Sequence, residues 1–232
     1  ESIRRGASFE KVAANIAGLN QIKKESNHPT PKMMMVFVIM SGEIENYQQL
    51  PEYIRLAHSL GVEQVIAKNL DVILKDGDDQ RKLFTHNGQT FQPLQYALDA
   101  AERIAKDRAI KFRRYSVHPN EQVVCEQDPI HNLFFSWDGY VSPCITLAYA
   151  ENRYFNGSHI QVPSKRFGNI NQQSLDVIWN DPGYAEFRQV YIERLQQHNR
   201  ALMDSLLGGE NTDVELPTAP QSCQSCYYLY GI

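Results

Sequence analysis

Up to residue 115 the apolar residues fall into segments of helical period separated by short, dense apolar runs. Ser8 is placed to cap a helix whose apolar face is Phe9, Val12, Ala13, Ile16 and Leu19, ended by His28-Pro29 and Thr30-Pro31. Residues 33–40 are apolar without alternation, which predicts a strand buried on both faces. Pro51 opens the body of a helix that uses Leu50, Ile54 and Ala57 and closes at Gly61. Residues 62–67 predict a second buried strand. Residues 71–90 are polar, carry the turn signals Asp76-Gly77 and Asn87-Gly88, and read as an insertion. Pro93 opens a helix with Leu94, Ala97, Leu98, Ala101, Ile104 and Ala105 on one face, and residues 110–115 predict a third strand. Helix and strand in strict alternation predict a parallel α/β sheet or barrel.

The pattern changes near Ser116, which divides the chain into residues 1–116 and 117–232. Residues 133–137, the pair Asp138-Gly139 and residues 140–143 predict a hairpin on a two-residue turn, with Trp137 opposite Tyr140 and Leu133 opposite Cys144. Residues 174–179 make a short helical turn. Residues 182–207 predict a long helix with Tyr184, Phe187, Tyr191, Leu195, Leu202 and Leu206 on a stripe, stopped by Gly208-Gly209. A polar linker, 210–221, then leads to the C-terminus.

Composition narrows the function classes. The chain has 232 residues, 42% hydrophobic and 22% charged, as ordinary globular proteins do. Its net charge of −4, from 23 basic and 27 acidic residues, argues against nucleic acid as a partner. The run 33–40 is too short to cross a bilayer, so no membrane partner is expected, and the charged N-terminus is no secretion signal. A cytoplasmic location follows as the expectation. The chain opens at Glu1 rather than a methionine and reads as the C-terminal piece of a longer protein.

Four cysteines, Cys125, Cys144, Cys223 and Cys226, lie in the second part alone. Without a secretion signal they suggest a metal site or free thiols rather than disulfides. Cys223 and Cys226 form a C-x2-C pair, the spacing of a zinc half-site, an iron–sulfur half-site or a redox pair. The redox reading is the weakest, since no helix follows within the six remaining residues. The hairpin brings Cys144 near Cys125, and the terminal pair completes four thiolates, which suit either a tetrahedral zinc or a [4Fe–4S] cluster. These residues alone leave both open, so a non-catalytic zinc-stabilised binding module stands as the alternative to a cluster protein.

The order Cys125-x13-Gly139-x4-Cys144, Phe167-Gly168-Asn169-Ile170, Ser174-Leu175-x2-Ile178-Trp179-Asn180, Tyr184-x2-Phe187-Arg188 and Cys223-x2-Cys226 resembles the SPASM/twitch domain of radical S-adenosylmethionine (SAM) enzymes. The hairpin phrase from Trp137 to Cys144 looks like theirs too. Residues 1–116, with Arg4-Arg5-Gly6-Ala7-Ser8-Phe9-Glu10, Val12, Asn15 and Ile16, resemble the second half of the radical SAM barrel. The resemblance implies the C-terminal half of a partial (β/α)6 TIM-like barrel followed by a small SPASM/twitch domain. It implies an oxidoreductase or a peptide or protein maturase, acting on a peptide or a small molecule.

In such enzymes a barrel-bound cluster reduces SAM to a deoxyadenosyl radical that abstracts hydrogen from substrate. The C-x3-C-x2-C loop that holds that cluster is absent from this sequence, so SAM and a second [4Fe–4S] cluster belong to the expected full-length protein, and this chain alone should be inactive. The C-x5-C-x3-C that continues a full SPASM domain is absent as well, which implies one auxiliary [4Fe–4S] cluster on Cys125, Cys144, Cys223 and Cys226. Arg5 resembles a basic residue that holds the SAM carboxylate; a solvated helix-end arginine is the plainer reading. His118 and His131 flank Cys125 as substitute ligands or as ordinary surface or core residues. Arg188 on the long helix points to the cluster or substrate or, the plainer reading, forms a surface ion pair, and Lys165-Arg166 reads as solvated. Asp76 to Asp79 have the wrong spacing for a calcium loop.

Overall fold

A computed structural model describes residues 6–42, 45–73, 78–84, 91–208 and 215–232. The chain forms two compact units, the first reaching Val117 and the second running from His118 to Ile232 together with a short piece that starts at Asp71.

The first unit contains α1 (Phe9–Glu25), β1 (Met34–Ile39), α2 (Leu50–Ser59), β2 (Gln64–Asn69), α3 (Gln92–Asp107) and β3 (Lys111–Arg114). Its strands are parallel in the order β1-β2-β3, with Val36 beside Ile66 and Val65 beside Phe112. The alternation read in the sequence is therefore a parallel α/β layer. Pro51 and Pro93 stand in the first turns of α2 and α3, where a missing amide proton costs nothing. Gly61 leaves α2 at φ +69°, the left-handed conformation that a helix C-terminus favours and that glycine adopts without strain. Leu50, Ile54 and Ala57 of α2 and Leu94, Leu98, Ala101 and Ala105 of α3 pack with Phe37, Ile39, Val65 and Ala67 into one core.

Three expectations are corrected here. The strand at 33–40 is buried on one face only: Phe37 and Ile39 enter the core, while Met34, Val36 and Val38 are 53%, 46% and 37% exposed. Helix α1 is capped by Ser8, whose side chain accepts from the Lys11 amide, but none of its residues is buried, and Phe9 and Val12 stay exposed. The stretch 71–90 is not polar throughout, since Ile73 and Phe84 are buried; its two turn signals lie outside the described residues.

The second unit holds β4 (Phe134–Phe135), β5 (Tyr140–Ser142), β6 (Glu151–Phe155), β7 (Ser158–Val162), β8 (Gly168–Asn169), α4 (Leu175–Trp179) and α5 (Pro182–Leu206). β5 lies between β4 and β8, antiparallel to both, and β6 pairs with β7. The first hairpin differs from the two-residue turn by one position. Phe134 pairs with Ser142 and Phe135 with Val141, so the loop is Trp137-Asp138-Gly139, with Gly139 at φ +85°. A side chain at 139 would also meet Asn169 Oδ1 at 2.7 Å. Trp137 stands at the tip, 90% exposed. The β6–β7 hairpin turns on Asn156-Gly157, both at positive φ, a signal the sequence reading passed over. Among the described residues no helix is long and apolar enough to cross a membrane.

The two faces of β1 predict opposite responses to truncation. Leu98→Ala, in the buried core, should cost the first unit about 2–5 kcal/mol, and Met34→Ala, on the open face, should stay within about 0.5 kcal/mol. Chemical denaturation of the two variants against the parent measures both.

Candidate metal centre

Helix α5 is the frame of the second unit. Asp181 caps it, accepting from the Tyr184 amide at 3.0 Å, and Pro182 starts it. Tyr184, Phe187, Arg188, Tyr191 and Arg194 are buried, all on one face at helical spacing. That face carries two arginines. The stripe predicted from apolar residues covered Tyr184, Phe187 and Tyr191 but ran on to Leu202 and Leu206, which are exposed.

Arg194 has no exposed surface and gathers the segments that carry the cysteines. Its guanidinium donates to the carbonyls of Gln122 at 2.9 Å and Val123 at 3.0 Å, and to the carbonyl of Pro217. It also pairs with Glu121 at 2.8 Å. Residues 121–123 lead directly into Cys125, and Pro217 leads into Cys223. The fork geometry of one arginine therefore ties both approaches to α5. The same two segments also bond to each other: the Asn120 amide donates to the Tyr230 carbonyl at 2.9 Å and the Gln122 amide to the Leu229 carbonyl at 2.7 Å.

The C-terminal pair sits in consecutive tight turns. The Cys223 amide donates to the Pro220 carbonyl, the Cys226 amide to the Cys223 carbonyl and the Leu229 amide to the Cys226 carbonyl. Tyr227, Leu229 and Ile232 are buried, Phe155 packs on Tyr227 with ring centres 4.9 Å apart, and the Tyr227 hydroxyl accepts from the Asn156 amide. Protein contacts therefore dock this terminus without a metal. Cys144 ends the strand side of the first hairpin, with its sulfur 3.1 Å from the Thr146 hydroxyl, and Arg153 donates to the Thr146 carbonyl behind it.

Cys144 and Cys223 share one apolar cluster with Val124, Leu147, Tyr191 and Leu229. Burial pushes the Cys223 thiol up to about 12 and Cys125 up to about 11, and raises Cys144 as well. The charges of Cys144 and Cys226 reach Cys125, and those of all three reach Cys223, which raises them further. Cys125, Cys144 and Cys223 thus resist ionisation, and Cys226 lies within electrostatic reach of all three. Ligand thiolates there need a positively charged core, and loading one must release protons.

Tyr184 and Tyr191, both within electrostatic reach of the sulfurs, have buried hydroxyls with no nitrogen or oxygen partner, and the hydroxyls of Ser142 and Ser222 and Arg188 Nη1 are also buried without one. A cluster offering sulfur acceptors fits such a shell and an all-sulfur donor set. Among the described residues, no group of three or more His, Cys, Asp or Glu is arranged to hold a metal ion. A tetrahedral zinc draws every sulfur to about 2.3 Å from one point. Four cysteine thiolates suit either that ion or a four-iron cluster.

The other candidates resolve differently. His131 pairs with Asp128 at 3.0 Å on an exposed loop, and His118 is half-buried. Arg188 is not a surface ion pair: it is buried, with its guanidinium 4.0 Å from the Trp179 ring centre and 4.6 Å from Tyr184. Arg166 is exposed but engaged, donating to the Ala148 carbonyl and lying against Tyr140. Arg5 lies outside the described residues. Arg194 was missed, although its phase on α5 with Tyr184, Phe187 and Tyr191 was the signal for it.

Residues 125–206 match SPASM, an iron–sulfur cluster-binding domain. The match takes in Cys125, Cys144 and α5, and ends before Cys223. A Pyrococcus furiosus protein described as a tungsten-containing aldehyde ferredoxin oxidoreductase cofactor-modifying protein is 26% identical over 220 residues, covering 94% of this chain. The chain spans 59% of that relative's length. The crystal structure of Streptococcus suis SuiB bound to S-adenosylmethionine aligns with 74% of this chain and 38% of its own at 15% identity, with a TM-score of 0.43. The second unit is thus an iron–sulfur domain of the SPASM type. The family match rests on residues 125–206, inside the second unit.

Two outcomes follow from this geometry. Arg194→Met should destabilise the second unit by about 3–5 kcal/mol, the cost of breaking a buried charge network. Arg194→Lys should recover little, since an ammonium lacks the planar fork. Denaturation, with hydrogen exchange at residues 121–124 and 217–223, measures both, and a loss under about 1 kcal/mol would contradict the assignment. The thiols set a pH dependence for the metal-free chain. Unfolded thiols ionise near their ordinary 9.0, while folded Cys125 and Cys223 keep their protons to about 11 and 12. The folded chain then binds more protons than the unfolded one, so stability is full below pH 9 and falls as pH rises through that window. Denaturation midpoints at pH 8 and pH 10.5, roughly either side of the lower limit, should differ in that sense.

Proposed function

We propose that this chain is part of a radical SAM/SPASM enzyme, an oxidoreductase or a peptide or protein maturase, in which Cys125, Cys144, Cys223 and Cys226 hold one auxiliary [4Fe–4S] cluster. The observation that carries this reading is that Cys125, Cys144, Cys223 and Cys226, from segments almost a hundred residues apart, lie within electrostatic reach of one another in a unit whose residues 125–206 match an iron–sulfur cluster-binding domain. When bound, such a cluster supplies electron transfer or structural support, because four cysteine ligands leave no iron open to substrate. The chain's own part is to hold the sulfurs, exclude water and offer hydrogen-bond donors to them.

The first unit is proposed as the second half of a TIM-like barrel. Two features support this: β1 stands at the edge of the parallel sheet, and its exposed Met34, Val36 and Val38 form an apolar face that further strands would line. SAM, a second [4Fe–4S] cluster, a cytoplasmic location and a peptide or small-molecule substrate belong to the proposal for the longer protein.

Anaerobic loading with iron and sulfide tests the cluster. The expected product is brown, with broad visible absorption and four irons and four sulfides per chain, roughly as one cluster requires. A colourless chain holding one zinc would overturn the reading in favour of a zinc-stabilised module. Cys144→Ala should abolish the cluster, yet residues 220–232 should keep their hydrogen-exchange protection, because their docking rests on protein contacts. The loaded chain should release no 5′-deoxyadenosine from SAM under reducing conditions; chromatographic detection of that product would show that the missing cysteine loop is not needed.

A further inference from the structure

Tyr191 stands at the middle of the buried face of α5 with no exposed surface, and its hydroxyl meets no nitrogen or oxygen partner. A buried phenol ordinarily finds one. Its ring packs with Phe187, centre to centre at 5.9 Å, and it shares an apolar cluster with Cys144 and Cys223. Its oxygen faces the Cys223 sulfur, and Cys125 and Cys226 lie within electrostatic reach. One helical turn further on, Arg194 ties down the approaches to Cys125 and Cys223. The phenol is therefore held on a rigid element, aimed at sulfurs whose positions are fixed by the same helix.

We infer that the Tyr191 hydroxyl donates a hydrogen bond to the Cys223 sulfur when the cluster is bound, and that this bond raises the cluster's reduction potential. A protonated thiol is a weak acceptor, so the contact of the hydroxyl with the Cys223 sulfur is weak in the metal-free chain. A thiolate ligating iron carries negative charge and accepts well. Reduction adds an electron to the cluster and its ligands, so a donor at sulfur stabilises the reduced form more than the oxidised one. Tyr191 is a positioning and tuning residue in this account, and removing its hydroxyl changes no ligand.

The inference rests on the proposed cluster, and one experiment separates the two. Wild-type chain and Tyr191→Phe are loaded anaerobically, their iron and sulfide are counted, and each is titrated with reductant while EPR follows the reduced cluster. The expected result is equal iron content and a more negative midpoint potential in Tyr191→Phe. Equal potentials, or a variant that loads less iron with the potential unchanged, would overturn the inference and leave the cluster reading standing. A wild-type chain that forms no four-iron cluster would overturn the cluster reading and this inference with it. Should Tyr191→Phe fail to load, resonance Raman of the loaded wild type decides. The iron–sulfur(cysteine) bands should move on transfer to D2O, and bands that stay fixed would count against a hydrogen bond to sulfur.

Discussion

Arg194 takes a full positive charge to a position with no solvent contact and spends its guanidinium on three backbone carbonyls and one carboxylate. Removing an arginine from water costs several kcal/mol, and only near-complete hydrogen bonding offsets that. The partners it finds are the chain just before Cys125 and the chain just before Cys223. Every other property of the site depends on this tie. Without it the two approaches are joined to each other only through the backbone bonds of Asn120 and Gln122 to Tyr230 and Leu229, and neither is tied to α5 by the arginine.

The same helix face supplies the surroundings of the sulfurs. Arg188 lies against Trp179 and Tyr184, the Phe167 ring stacks on Tyr184 at 4.4 Å, and Tyr191 closes the gap toward Arg194. Burial raises the thiols, so the metal-free pocket stores protons rather than charge. Cys125, Cys144, Cys223 and Cys226 would hold a cluster only as thiolates, so loading one would release their protons and present charged sulfurs to the Tyr191 hydroxyl. A pocket of this kind has a reason to be prefolded and a reason to bind, which is how the C-terminal segment can be docked and still serve as half of a ligand set.

Much of the fold was legible where local chemistry and tertiary packing agree. Pro51 and Pro93 mark α2 and α3, the apolar runs mark parallel strands, and Tyr184, Phe187 and Tyr191 mark the buried side of α5. The errors have physical causes. The run 33–40 lacks polar residues, so its sequence does not reveal that Met34, Val36 and Val38 face outward. Asp138-Gly139 suggests a two-residue turn, but Ser136 bonds across to Tyr140, and the loop grows to three residues with a one-position change of register. Asn156-Gly157 was a plain hairpin signal that lay outside the motifs of interest. Four cysteines were readable as candidates from spacing. Arg194 was not, because a pattern of apolar residues is blind to a charge that is buried by being fully bonded.

The central claim is that two cysteine-bearing segments, remote in sequence and joined through α5, make one site. Mössbauer spectroscopy of the chain loaded anaerobically with 57Fe, with Cys125→Ala and Cys226→Ala beside it, tests this most directly. The account predicts the spectrum of a single [4Fe–4S] cluster in the parent and its complete loss in both variants. Iron that remains in a cluster after either pair of cysteines is broken would contradict it.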